Sequence, residues 1–141
     1  MTKSFFIVLV PILILSACSS KFKESQVPAA AKETFEKTYS GIKGTWDKED
    51  SNYEVSFKKD GKDMSAIISE NGTIVETETD IPVTELPATV QDYIKQHYQG
   101  MTIKEASTIA KANGEVNYEA EVADKDVIFD ANGKFIEEEK D

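Results

Sequence analysis

Arginine is absent from this 141-residue chain, and cysteine and histidine occur once each, as Cys18 and His97. A lone cysteine excludes an intramolecular disulfide. A single histidine leaves a zinc ligand set or a catalytic triad without its partners. His97, in a helical stretch beside Tyr98 on its packing side, therefore reads as a structural or surface residue. Nucleic acid is excluded as a natural partner, because a polyanion needs clustered basic side chains. Here all sixteen basic residues are lysine and stand against 26 acidic ones, for a net charge of −10. No Gly-rich phosphate loop, Gly-x-Ser-x-Gly or His-Glu-x-x-His occurs. Carboxylates are so plentiful that no catalytic pair stands out. No cofactor and no metal site is implied, and an enzyme is the least supported class.

A long apolar run is also missing. The longest stretch, Phe5 to Leu15, contains Pro11 and falls short of the roughly 20 residues a membrane-spanning helix needs. With Lys3 before it and Ser16-Ala17-Cys18 after it, it has the charged, apolar and small-residue order of a secretory signal, residues 1–17. Leu15-Ser16-Ala17-Cys18 resembles a lipobox. That resemblance implies lipidation of Cys18, a durable anchor once two or three acyl chains are attached, and it removes a thiol that would be a liability in an oxidising envelope. Cleavage would leave a formal charge of −11, because residues 1–17 carry one lysine and no acid. The expected protein is exported and held at the bacterial cell envelope through Cys18, followed by a polar tether to residue 26.

What is present is a repeat. Val27-Pro28-Ala29-Ala30 recurs as Leu86-Pro87-Ala88-Thr89, and Tyr39-Ser40-Gly41-Ile42 recurs at the same offset as Tyr98-Gln99-Gly100-Met101. Residues 63–80 align without gaps on 124–141, bringing Asn71-Gly72 onto Asn132-Gly133. Two tandem units are expected, 27–80 and 84–141.

Each unit opens with an amphipathic helix. Val27, Ala31, Phe35 and Tyr39 recur at helical spacing, as do Leu86, Val90, Ile94 and Tyr98, with proline at the first turn and glycine after the last. Alternation follows, in Tyr53-Val55-Phe57 and in Val116-Tyr118-Ala120-Val122, each an expected strand with one buried face. The first strands are expected around 42–48 and 101–110. Asn-Gly between two short apolar strands predicts type I′ hairpin turns. Asp130-Ala131-Asn132-Gly133 looks like part of a calcium loop, but it aligns with Ser69-Glu70-Asn71-Gly72 and lacks the spaced ligands such a loop requires. A repeated turn explains both. The expected class is α+β, with each repeat a helix packed on its own four-stranded antiparallel sheet.

A helix opening with Val/Leu-Pro-Ala, closing with Tyr-x-Gly and leading into four strands with Asn-Gly between the last two resembles the PepSY-like family, related in fold to β-lactamase-inhibitor protein. The resemblance covers roughly residues 25–80 and 84–141. It departs at Ser40 and Gln99, where the family pattern has proline, so helix termination rests on Gly41 and Gly100. Related modules resemble inhibitors or propeptide-like regulators of secreted enzymes. By analogy this implies a non-catalytic protein-binding module, inhibitor-like toward an envelope or secreted enzyme. A small-ligand or cation binder using the acidic edge is the alternative.

In the last two strands of each unit the expected core is Ala66, Ile68 and Ile74, matched by Val127, Phe129 and Phe135. Alternation sends Ile67 and Val75, matched by Ile128 and Ile136, to the other face. Two accounts of these aliphatics stay open. They are buried between the copies or against a loop, or the edges of the two sheets pair; otherwise they form an apolar strip rimmed by Glu54, Glu119, Glu121, Asp126 and Glu138 that docks a protein partner. Trp46 either anchors one end of that strip or packs in the core. Glu137, Glu138 and Glu139 read as the solvated edge of a terminal strand.

Overall fold

A computed structural model describes residues 22–140. The signal segment, Cys18 and Asp141 lie outside the described residues. Two ten-residue helices, α1 (Ala29–Thr38) and α2 (Ala88–His97), each precede four strands. These are β1 (Gly44–Glu49), β2 (Asn52–Lys59), β3 (Lys62–Ile68) and β4 (Ile74–Asp80), then β5 (Ile103–Lys111), β6 (Val116–Val122), β7 (Lys125–Phe129) and β8 (Phe135–Lys140).

The four-stranded sheets expected of each repeat are not separate. All eight strands form one antiparallel sheet in sequence order, because β4 pairs with β5 from Glu76–Lys111 to Asp80–Ser107. Ile81 N–H donating to the Ala106 carbonyl and Ala112 N–H donating to that of Val75 extend the seam at both ends. Left unpaired, β4 and β5 would each expose a row of peptide groups; joining them satisfies both rows.

Both helices lie on the same face of this sheet, each over its own core. Val27, Ala31 and Phe35 meet Trp46, Val55, Phe57, Ala66 and Ile68. Leu86, Val90 and Ile94 meet Ala106, Ala120, Val122, Val127 and Phe129. The helical spacing of those apolar residues is what turns one stripe of each helix onto the sheet. Of the expected core, Ala66, Ile68, Val127 and Phe129 are buried, while Ile74 and Phe135 are half-buried against it. Trp46 belongs to this core, its ring edge-on to Phe35 at 5.7 Å. His97 is exposed and stacks on Tyr93 rather than packing inward.

The Asn-Gly turns differ from the expected type I′, which needs positive φ at both central residues. Only the glycines have it, Gly72 at 85° and Gly133 at 77°. Gly72 N–H donates to the Ser69 carbonyl and Gly133 N–H to that of Asp130, so each loop is a tight turn closed by a left-handed glycine. The Asp130 carboxylate accepts from the Asn132 and Lys134 N–H groups, which holds Asn132 on the ordinary side of φ. The two-residue turn with positive φ at both positions is at Asp60 and Gly61 instead.

Candidate protein-binding face of the sheet

With both helices on one side, the other face of the sheet is assembled from alternate residues of each strand. Its rows follow from the register. Glu54, Ile67 and Glu76 lie side by side on β2, β3 and β4. Ser56, Ser65, Glu78, Ile109 and Asn117 make a second row. Asp80, Ser107, Glu119, Ile128 and Glu137 make a third. The face thus has short or aliphatic residues at intervals, flanked by glutamates.

Ile67 and Ile128 therefore stand in equivalent rows on the face where alternation puts them, Ile67 half-buried and Ile128 9% exposed. Val75 and Ile136 do not continue the rows. Each is the extra residue where the register shifts between the last two strands of its unit, and at 37% and 42% exposed they rank among the most solvent-open large apolar residues. Two rim and anchor residues are displaced. Trp46 pairs with Val55 on the helix side, and Glu138 pairs with Val127 there, accepting from the Tyr98 hydroxyl and from Lys125. Glu54, Glu119, Glu121 and Asp126 fall on the open face through their pairings with Ile67, Ile128 and each other.

Three residues that pattern reading passed over occupy the middle. Ser107, Ile109 and Asn117 are 3%, 7% and 1% exposed, although no helix among the described residues lies on their side. Longer side chains, themselves half-buried, flank them in the register, Glu78 beside Ile109 and Glu119 beside Ser107. Taking carboxylates out of water favours their neutral form. Burial, then the charges of Glu78, Asp126, Glu139 and Glu76, pushes the Glu119 carboxyl up to about 8. Glu78 is raised by burial and by Asp80, Glu54 and Glu76. Asp80 is raised by burial and by Asp63, against the pull of Lys58. The Ser107 hydroxyl lies close enough to Glu78 to draw that carboxyl partway back down, without the geometry of a hydrogen bond. The signal that could have found this centre is the strict alternation Ser107-x-Ile109 in β5, which the adjoining alanines and threonines obscure.

On the helix side a cleft of about 520 Å³ opens between α1 and β1, lined by Lys32, Phe35, Glu36, Ile42, Gly44 and Trp46. A smaller one of about 330 Å³ lies at the equivalent place under α2. Their linings mix both charges and bring no reactive groups together.

One family model, described as "Putative beta-lactamase-inhibitor-like, PepSY-like", matches the chain over residues 15–76 and again over 51–137. The chain belongs to the PepSY-like family. Three solved structures share the fold of this PepSY-like chain. One from Bacteroides eggerthii, titled as one of the "putative periplasmic proteins", has a TM-score of 0.71 at 15% identity, with 81% of this chain and 88% of that one covered. A DUF2874 family protein from Bacteroides uniformis gives 0.69 at 19%, covering 80% and 88%. A BLIP-like protein from Bacteroides fragilis gives 0.63 at 18%, covering 80% and 86%. No curated protein matches.

Proposed function

We propose that this PepSY-like chain is a non-catalytic protein-binding module of the bacterial cell envelope, held to a membrane through lipidated Cys18, which docks a protein on the open face of its sheet and restrains an envelope or secreted enzyme. The observation that carries the reading is the composition of that face. Aliphatic residues at Ile67, Ile109 and Ile128 alternate with carboxylates across most of the sheet, on the side that neither helix covers. An apolar floor with a polar rim is how protein interfaces are built. The family's inhibitor-like description supports the class, and the periplasmic description of the Bacteroides eggerthii structure supports the address. The lipobox-like Leu15-Ser16-Ala17-Cys18 supports the anchor.

A photo-crosslinking side chain placed at Ser65, on the open face, should give a saturable adduct in intact cells, while one at Glu33, exposed on α1, should not. Adducts from both positions, or from neither, would refute docking on this face. Cys18→Ser should shift the protein from the membrane pellet to the soluble fraction; retention in the pellet would refute the anchor.

A further inference from the structure

The chemistry of the open face narrows what can dock there. The charges acting most strongly on Glu119 are all carboxylates, from β4, β7 and β8, and those raising Glu78 are carboxylates from β2 and β4. The lysines of this face are engaged with acids of their own, and Lys111 also reaches the Asn117 side chain at 3.2 Å. Lys58 pairs with Asp63 at 3.1 Å, Lys111 with Glu115 at 3.9 Å and Lys104 with Glu121 at 2.9 Å. Carboxyl groups therefore crowd toward the centre with their strongest neighbours of the same kind, so that ionising them costs free energy unless a cation arrives.

A second observation points the same way. Ser107 sits on β5 directly between Asp80 and Glu119, is 3% exposed, and its hydroxyl oxygen forms no hydrogen bond. A buried polar atom left without a well-formed hydrogen bond has given up water with nothing of equal strength in return. A donor entering among these side chains would satisfy Ser107 and two carboxylates together. The spread of the acids selects the kind of cation. Among the described residues no three acidic, histidine or cysteine side chains come close enough to chelate a metal ion, so the site suits a branched donor brought in on a polypeptide. Arginine, absent from this chain, presents five donors in a fork that can serve two carboxylates at once.

Resting on the docking reading above, we propose that the open face takes a cationic loop of a partner protein, an arginine or lysine head group seating between Glu78 and Glu119 over the hydroxyl of Ser107. The flanking Ile67, Ile109 and Ile128 then receive the aliphatic stem and neighbouring apolar residues of the same loop. Seating the cation favours ionised Glu119, so near neutral pH docking releases the proton that Glu119 otherwise holds.

The test is selection of constrained random-loop peptides displayed on phage against the full chain, counter-selected on the Glu78→Gln/Glu119→Gln double variant. Glutamine keeps the shape and removes the charge, and circular dichroism establishes that the variant is folded. Enriched loops should carry arginine or lysine, lose about tenfold or more in affinity on the double variant, and weaken with added salt. Calorimetry in buffers of different ionisation heat should register about one proton released per loop at pH 7. Neutral apolar loops that map to this face and bind the double variant equally would overturn the cationic proposal while leaving protein docking intact. Loops that map only elsewhere would overturn both.

Discussion

A carboxyl group surrounded by other carboxyls on a half-covered sheet face gives Glu119 a consequence for stability whose sign can be worked out. Its folded value, about 8, lies above the ordinary 4.5. The folded state therefore binds the proton more tightly, and the stability contributed by protonated Glu119 is full below about 4.5 and lost as pH rises through about 8. The melting temperature of the wild-type chain should fall across this window. Glu119→Gln should flatten the fall and raise the melting temperature at pH 8; an unchanged slope in a thermal scan at several pH values would contradict the assignment. Glu119 itself was legible in the sequence as a rim residue, since it is the polar partner in Val116-x-Tyr118-x-Ala120. Its protonation was not legible. That depends first on its burial and then on Glu78 from β4 and Asp126 and Glu139 from β7 and β8 converging on it, and the approach of Glu78 requires the two repeats to share one sheet.

At the scale of elements, the two Asn-Gly hairpins show how far local pattern carries. Their positions were readable from glycine flanked by short apolar strands, but their conformation is set by bonds within each loop together with the helix it packs on. Each hairpin tip packs on the first turns of its helix. The Thr34 hydroxyl donates to the Gly72 carbonyl at 2.7 Å, and the Thr89 hydroxyl to the Asn132 carbonyl at 3.3 Å. A Cβ at Gly72 would lie 2.8 Å from the Ala30 carbonyl oxygen, and one at Gly133 would lie 1.9 Å from the Thr89 hydroxyl. Both positions also hold positive φ, where a side chain is strained. Gly72→Ala and Gly133→Ala should each destabilise by about 2–4 kcal/mol in urea unfolding. They should differ in rescue. The obstacle at Gly133 is a side chain, so adding Thr89→Ala should recover part of the loss. The obstacle at Gly72 is backbone, and Thr34→Ala should recover little. Equal rescue at both sites would show that φ alone sets the cost.

The whole molecule poses the question of whether one sheet makes one cooperative unit. The two apolar cores are separate clusters, and the seam between them carries small side chains on the helix side: Thr77 and Thr79 on β4, Thr108 and Ala110 on β5. Backbone pairing, with the Glu78–Ile109 row on the other face, is what couples the halves. Sequence alone showed the repeat but not this join, because neither β4 nor β5 carries a pattern that names its outer neighbour. Ile81 donating to Ala106, and Ala112 to Val75, fix which peptide groups face which way. Even-numbered residues of β5 bond toward β4, and odd-numbered ones toward β6. Thr108→Pro therefore removes an amide donor from the seam, at about 3 kcal/mol or more. Trp46 is the only tryptophan and reports on the first core alone, whereas far-ultraviolet circular dichroism reports on all eight strands. In the wild-type chain the two signals should follow one urea transition. In Thr108→Pro the dichroism should become biphasic, its later phase coinciding with the Trp46 transition, since the first core keeps its own helix and four strands. If the two probes still coincide in that variant, the first unit cannot stand without the second, and the eight strands fold only together.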